Sequence, residues 1–300
     1  MLQTALESTL KEGLQRFVKP LLNPAVPIRV QRAMIRQAKL ASTPPAGCRF
    51  EHATLGGIPV TSTRCQNTDP ARAILYFHGG AYIIGSPDTY RGVTGHLCVS
   101  SGATVYAPDY RLAPENPFPA GLEDAKAAYL ALLEQGIRPE QIALAGDSAG
   151  GGLALALALR LRDEGIGLPG AIAVFSPWTD LTHSRLYDPS VEPMLQKRWI
   201  DKAASLYCAG ESRKNPLISP VYGDFTGLPP LLIQVGSEEI LLNDAQRLAE
   251  VARKAGTEVR LEIYNSLWHV FQIHAGQLDR ATEAMEEAGE FIRNATFRRA

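Results

Sequence analysis

The chain has 300 residues, of which 45% are hydrophobic and 20% are charged, and its formal net charge is −1. This composition suits one large α/β domain or two small ones, and the interspersed charges of both signs argue against a nucleic-acid partner. No apolar run approaches the ~20 residues that a membrane-spanning helix needs, and the N-terminal residues lack the apolar stretch of a secretion signal, so we expect a cytoplasmic protein with no membrane partner.

Residues 1–45 are predicted to be helical. Apolar residues recur there at helical spacing: Leu10, Leu14, Phe17 and Val18, then Val30, Met34 and Ile35. Pro20, Pro24 and Pro27 are expected to separate two helices. Because this region lies outside any alternation of strands and helices, we interpret it as an N-terminal helical cap segment, with a purely structural arm as the alternative.

Residues 46–300 are predicted to form the main domain, in which strands and helices alternate. Strands are predicted at 48–55, 58–64, 73–77, 103–107, 142–146, 171–175, 231–235 and 259–264. Helices are predicted at 88–101, 120–135, 149–164, 242–256 and 278–296. Gly56-Gly57 is a hairpin signal between the first two strands. An antiparallel opening followed by βα units predicts an α/β fold with a mostly parallel eight-stranded sheet and helices on both faces.

The connection between the strands predicted at 171–175 and 231–235 is longer than a simple crossover needs. It contains a helix predicted near 196–208. Since it follows the carboxyl end of a strand, where open α/β sheets bind ligands, we expect residues 183–215 to form a cap insertion that covers the site together with residues 1–45.

A serine between two glycines follows the strand predicted at 142–146, in the sequence Gly146-Asp147-Ser148-Ala149-Gly150. The flanking glycines permit a turn sharp enough to hold the Ser148 side chain clear of the backbone. Ala149 then begins a helix, whose first N–H groups favour a developing negative charge. The pattern indicates a nucleophile elbow, and an ordinary strand-to-helix turn is the alternative.

A serine nucleophile needs a base that takes its proton. Of the six histidines, His269 follows the last predicted strand in a short loop. This position places His269 at the same edge of the sheet as Ser148, and we expect it to be the base. The other histidines are weaker candidates: His52, His78, His96, His183 and His274.

The acid that orients the histidine is expected between Ser148 and His269 in chain order. Glu239 comes just after the strand predicted at 231–235 and is the favoured residue. Its neighbour Glu238 and the earlier Asp180 remain alternatives, because spacing alone does not separate them.

A glycine pair, Gly79-Gly80, follows the buried strand predicted at 73–77. Consecutive glycines let backbone N–H groups turn inward. Gly79 and Gly80 are therefore expected to form an oxyanion hole with the N–H of Ala149. The preceding residue, His78, is expected to fix this loop by hydrogen bonds rather than to act as a base.

A third segment, Asp109-Tyr110-Arg111-Leu112-Ala113-Pro114-Glu115, lies between the glycine loop and the elbow. Together the three segments resemble those of the bacterial hormone-sensitive-lipase-like (family IV) carboxylesterases, from about residue 50 to the C-terminus. The resemblance implies an α/β-hydrolase fold with a helical cap, no cofactor, and hydrolysis of short-chain carboxylic esters. Arg111 and Glu115 are then expected to fix the loop and elbow by charge-assisted hydrogen bonds, with His78 and Asp147 as further supporting residues.

Three positions depart from the usual pattern of that family. Ala81 replaces the third glycine of the loop, and Glu239-Ile240-Leu241 stands where many members have Asp-Pro-Leu. His269-Val270-Phe271 replaces the usual His-Gly-Phe. The positions still favour Glu239 as the acid and His269 as the base.

Two alternative functions remain open at this point. An amidase or deacetylase would use the same catalytic residues on a different bond, and a non-catalytic small-molecule binding protein would use the same fold.

The four cysteines, Cys48, Cys65, Cys98 and Cys208, are scattered and predict reduced thiols rather than a metal site. Self-association as a homodimer through an exposed sheet edge is a further expectation.

Overall fold

Eight strands form one sheet in the computed structural model, which describes residues 2–37 and 43–296. The strands are β1 (Arg49–Leu55), β2 (Ile58–Arg64), β3 (Asp69–Phe77), β4 (Ala103–Pro108), β5 (Ile142–Asp147), β6 (Ala171–Phe175), β7 (Leu231–Gly236) and β8 (Val259–Tyr264). Their order in the sheet is β1-β2-β4-β3-β5-β6-β7-β8. The pairs β1–β2 and β2–β4 are antiparallel, and the pairs from β4 across to β8 are parallel. The predicted mostly parallel sheet is confirmed.

The helices of the main domain also lie where the sequence predicts them. The N-terminal helices are α1 (Leu2–Gly13), the single turn α2 (Lys19–Leu21) and α3 (Ile28–Gln37). The later helices are α4 (Arg91–Ser101), α5 (Ala120–Glu134), α6 (Ala149–Asp163), α7 (Lys197–Cys208), α8 (Leu242–Lys254) and α9 (Asp279–Thr296).

Side chains of β3 alternate between the two faces of the sheet, as the two-residue period of a strand requires. Ile74 and Tyr76 belong to the buried cluster that contains Val93 of α4 and Met285 of α9. Leu75 and Phe77 belong to the other cluster, with buried residues of α5, α6 and α8. Helices therefore cover both faces of the sheet at β3, which leaves the end of this strand open for a site.

The prediction that Pro20 separates two N-terminal helices is wrong. A π-helical turn, Leu14–Val18, follows α1, and Pro20 lies inside α2. The Lys19 N–H bonds to the Leu14 carbonyl, and this wider turn accommodates a residue that has no N–H to donate. Pro24 and Pro27 do separate the helices, since α3 begins at Ile28. Residues 38–42, at the end of the predicted cap segment, lie outside the described residues.

The helix predicted near 196–208 is confirmed as α7, and it contacts both the N-terminal helices and the main domain. The Trp199 indole N–H donates to the Gln31 Oε1 of α3 at 2.9 Å. At the other end of α7 the Tyr207 ring stacks on Tyr82, with ring centroids 3.8 Å apart. Within the described residues, no helix has the length and apolar character needed to cross a bilayer.

Candidate active site

Ser148 occupies a tight turn between β5 and α6. Its φ of 51° and ψ of −121° are a conformation that side-chain-bearing residues seldom adopt. A Cβ atom on Gly150 would lie 2.0 Å from the Phe77 carbonyl oxygen, and one on Gly146 would lie 2.7 Å from the same atom. Only glycine fits at both positions, so the two glycines bring the end of β3 against the serine turn.

His269 and Glu239 form a buried pair beside this turn. The His269 Nδ1–H donates to the Glu239 Oε2 at 2.6 Å, and Glu239 is fully buried. Ser148 and His269 line one cavity. The structure thus brings the three residues predicted as nucleophile, base and acid to one edge of the sheet.

The second carboxylate oxygen of Glu239 accepts two further hydrogen bonds. Its donors are the Gly236 N–H at 2.7 Å and the Ser176 hydroxyl at 2.8 Å. The Ser176 oxygen in turn accepts from the Val270 N–H at 3.0 Å. Ser176 therefore ties the acid to the residue after the base. Sequence reasoning missed Ser176, although its position directly after β6 was the available signal.

The two alternative acids have other partners. Glu238 forms an ion pair with Lys11 of α1. Asp180 accepts from Arg247 at 2.6 Å and from the hydroxyl of Ser184 at 2.9 Å. Among the described residues, neither carboxylate is hydrogen-bonded to His269, so Glu239 is the one of the three candidates that contacts the imidazole.

The alternative histidines lie elsewhere or have other contacts. His52 is on β1 and His96 on α4. His183 bonds to Asp201 at 2.6 Å through Nδ1 and accepts from the Trp178 indole. His274 does line the cavity, with its ring edge-on to Trp268.

The electrostatic surroundings of His269 favour its protonated form. Burial opposes the imidazolium, but Glu239, Glu192 and Asp147 together outweigh burial and raise the pKa of His269 above its ordinary value. A base with a raised pKa holds a transferred proton more firmly. Glu192 lies in the insertion and was not predicted as part of the site.

The expectation that the Gly79 N–H faces an oxyanion is wrong. That N–H donates to the Asp147 Oδ1 at 2.9 Å, and an engaged donor is not available to a substrate. Gly80 and Ala81 follow with φ of 113° and 53°. Among the described residues, the N–H groups of Gly80, Ala81 and Ala149 have no hydrogen-bond acceptor. These three N–H groups are the candidates for an oxyanion hole.

Asp147 fixes the glycine loop through its buried carboxylate. Besides the Gly79 N–H, it accepts from the Tyr76 hydroxyl at 2.6 Å and from the Tyr90 hydroxyl at 3.0 Å. Burial raises the pKa of Asp147 to about 6, against the effect of these hydrogen bonds. The His78 ring is stacked with those of Tyr110 and Tyr90, at centroid distances of 4.5 and 5.9 Å.

The surroundings of His78 favour its neutral imidazole form. Burial lowers the pKa of His78 to about 4, and its Nδ1–H donates to the Gly79 carbonyl at 2.7 Å. This contact agrees with the predicted loop-fixing role.

Arg111 and Glu115 do not contact the elbow, contrary to expectation. Arg111 binds Asp124 of α5 through its side chain and its backbone N–H. Glu115 binds Arg32 of α3 through two hydrogen bonds of 2.9 and 2.8 Å. Arg32 also donates to the Ile83 carbonyl, just after the glycine loop. The two residues therefore fix the segment to helices, and Glu115 reaches the glycine loop only through Arg32.

The cavity in front of Ser148 has a volume of about 170 Å³. Its wall is mainly apolar and comes from the N-terminal helices, the insertion and the loop around His269: Leu14, Val18, Leu22, Ile35, Met194, Leu195, Trp199 and Trp268. Among the described residues, no group of three or more His, Cys, Asp or Glu side chains is arranged to hold a metal ion.

Comparison with known proteins places this geometry in a family. A sequence profile described as alpha/beta hydrolase fold matches residues 74–273. The chain is 47% identical over 228 residues to an acetyl-hydrolase of Streptomyces hygroscopicus, which covers 75% of this chain and 76% of that protein. It is 36% identical over 241 residues to an esterase of Acinetobacter venetianus, which covers 79% of each.

A solved structure agrees over nearly the whole chain. It is described as an esterase from the bacterial hormone-sensitive lipase family, and it matches with a TM-score of 0.90 and 36% identity over 97% of this chain and 98% of that one. The chain belongs to the α/β-hydrolase family, in its bacterial hormone-sensitive-lipase-like branch. The predicted fold class and the resemblance are both confirmed.

The contact between Gly150 and Phe77 can be tested by substitution. Gly150→Ala should lower the free energy of unfolding by about 1–3 kcal/mol, because the added methyl group overlaps the Phe77 carbonyl oxygen. The matched control is Gly13→Ala, where a Cβ atom meets nothing within 4 Å, and which should raise stability by ~0.5–1 kcal/mol. Urea unfolding followed by circular dichroism measures both, and equal midpoints would contradict the assignment.

The Glu239–His269 pair predicts a change in the histidine titration. Glu239→Gln removes a carboxylate that favours the imidazolium, so the pKa of His269 should fall. NMR titration of the imidazole signals measures this fall. Asp180→Asn is the control, because Asp180 is paired with Arg247, and it should leave the His269 titration unchanged.

Proposed function

We propose that this protein is a serine carboxylesterase that hydrolyses short-chain carboxylic esters, with Ser148, His269 and Glu239 as its catalytic triad. The observation that carries the proposal is the hydrogen bond from His269 to the buried Glu239, because His269 lines the same cavity as Ser148. Hydrolysis of carboxylic esters is also supported by relatives that are described as an acetyl-hydrolase and an esterase.

The acylation step follows from the contacts of His269. The Ser148 oxygen attacks the ester carbonyl carbon while His269 Nε2 takes the hydroxyl proton. Glu239 holds the Nδ1–H and stabilises the imidazolium that forms. The carbonyl oxygen becomes an oxyanion, which the N–H groups of Gly80, Ala81 and Ala149 stabilise, each by ~3–4 kcal/mol on the precedent of other oxyanion holes. Collapse of this intermediate breaks the ester bond, and the imidazolium gives its proton to the leaving alkoxide oxygen.

Deacylation uses the same groups in the same order. A water molecule gives a proton to the neutral His269 Nε2 and attacks the acyl carbon, and the oxyanion forms again in the same N–H cradle. When the intermediate collapses, the proton returns to the Ser148 oxygen and the carboxylic acid leaves. No cofactor takes part in either step.

The cavity supports a short acyl or alcohol group as the preferred substrate part. Its volume of about 170 Å³ is close to that of an engineered cavity of ~150 Å³ that binds benzene. The apolar wall favours a group without charge. We interpret residues 1–45 and 183–215 as a cap, because α3 and α7 both contribute to this wall through Ile35 and Trp199.

The intact set of catalytic groups favours an enzyme over a non-catalytic binding protein. An amidase or deacetylase would need the same groups, and we favour ester hydrolysis because relatives are described as an acetyl-hydrolase and an esterase.

We further propose a cytoplasmic location and a homodimer formed through an exposed edge of the sheet. At the β8 edge, Ile263 is exposed, which is the kind of surface that a second strand can cover.

Replacement of the nucleophile tests the chemistry directly. Ser148→Ala should abolish hydrolysis of p-nitrophenyl butyrate, and Glu239→Gln should lower turnover by up to ~10⁴-fold, as removal of the charge from a triad acid does. Asp180→Asn and Glu238→Gln are the matched controls and should retain turnover. Substantial turnover by a folded Ser148→Ala protein would refute the proposal.

A series of p-nitrophenyl esters tests the size limit. kcat/KM should be highest for the acetate or butyrate and should fall for the dodecanoate, because a long acyl chain exceeds the cavity. Trp199→Ala removes a large side chain from the cavity wall. It should raise kcat/KM for the longer esters relative to that for the butyrate. A preference for the dodecanoate in the native enzyme would contradict the assigned substrate size.

A further inference from the structure

Glu192 is a buried carboxylate that none of the catalytic steps uses. It lies in the insertion between β6 and β7, and its residue is only 1% exposed. Its Oε1 accepts from the Met194 N–H at 2.7 Å, and its Oε2 accepts from the Ile240 N–H at 3.1 Å. Ile240 directly follows the triad acid Glu239, so this side chain joins the insertion to the acid loop.

The backbone of Glu192 also contacts the N-terminal helices. Its carbonyl oxygen accepts from Lys19 Nζ at 2.5 Å, and the Lys19 carbonyl in turn accepts from the Gln196 side chain at 2.5 Å. Glu192 is therefore the point at which the N-terminal segment, the insertion and the acid loop meet.

Among the residues that the structure describes, no lysine or arginine forms an ion pair with the Glu192 carboxylate. Burial raises the pKa of the Glu192 carboxyl, whereas His269 acts against that rise. A buried carboxylate without a cation is costly. The charges that act on the His269 imidazole are those of Glu239, Glu192 and Asp147, all of them acids.

We propose that Glu192 is a positioning residue for the triad, which fixes the loop of Glu239 through the Ile240 N–H and adds a second negative charge that stabilises the His269 imidazolium. This inference rests on the proposed triad function. If the role of Glu192 is purely structural, its replacement affects folding alone. If Glu192 is a positioning residue, its replacement also changes the pKa of His269 in molecules that are fully folded.

Glu192→Gln is the variant that separates these roles. The amide keeps one oxygen acceptor and nearly the same volume, but it loses the charge and leaves one of the two N–H groups without an acceptor. The matched control is Glu238→Gln. Glu238 directly precedes Glu239, as Ile240 directly follows it, and the Glu238 carboxylate is paired with Lys11.

Two measurements are made on each folded variant. NMR titration of the imidazole signals, assigned with a His269→Gln protein, reports the pKa of His269. The pH profile of kcat/KM for p-nitrophenyl butyrate reports the same group in the free enzyme. In Glu192→Gln, the pKa of His269 and the acid limb of the profile should both move to lower pH, and kcat should fall roughly tenfold. The control should keep both near the native positions.

The inference is overturned if His269 titrates in Glu192→Gln as it does in the native protein, or if Glu238→Gln shifts it equally. If Glu192→Gln does not fold, Glu192→Asp decides: the charge remains but the shorter side chain does not reach both N–H groups, so kcat should fall while the pKa of His269 stays raised. An unchanged kcat would refute the positioning role. The NMR readout does not depend on turnover, so active Ser148→Ala protein would refute the triad function separately.

Discussion

The strained turn at Ser148 is the constraint on which the rest of the site depends. A positive φ at a serine is unfavourable, and it persists because Gly146 and Gly150 allow the Phe77 carbonyl at the end of β3 to approach closely. The glycine loop begins two residues after Phe77. The contact that permits the elbow therefore also brings Gly80 and Ala81 to the cavity that Ser148 lines.

Negative charge is concentrated around a single basic group. The carboxylates of Glu239, Glu192 and Asp147 are all buried, and each accepts at least two hydrogen bonds from N–H or O–H donors. These hydrogen bonds offset the cost of burying the charges. His269 is the group whose protonation relieves their mutual repulsion, and in the proposed mechanism the transfer of the Ser148 proton creates that protonated form.

The sequence predicted what chain order and strand ends determine, and it failed where partners come from distant elements. Parallel strands bring their carboxyl ends to one edge, so Ser148, His269 and Glu239 could be placed together without a structure. The hydrogen bond of the Gly79 N–H could not be predicted, because its acceptor is a side chain on β5. The prediction that Arg111 and Glu115 contact the elbow is wrong for the same reason. Their partners lie on α5 and α3, and local spacing in the sequence does not indicate which side chains on distant elements meet.

Part of the cavity wall is encoded outside the segment that carries the proposed triad. The proposed triad and the oxyanion donors lie within residues 74–273, the part that the family profile matches. Leu14, Val18, Leu22 and Ile35 of the cavity wall lie before it. The Arg32–Glu115 pair holds these helices against the segment that follows the glycine loop. Changes in Leu14, Val18, Leu22 or Ile35 would therefore alter the shape of the cavity while the residues of the proposed triad stay the same, so relatives with the same catalytic residues need not share a substrate.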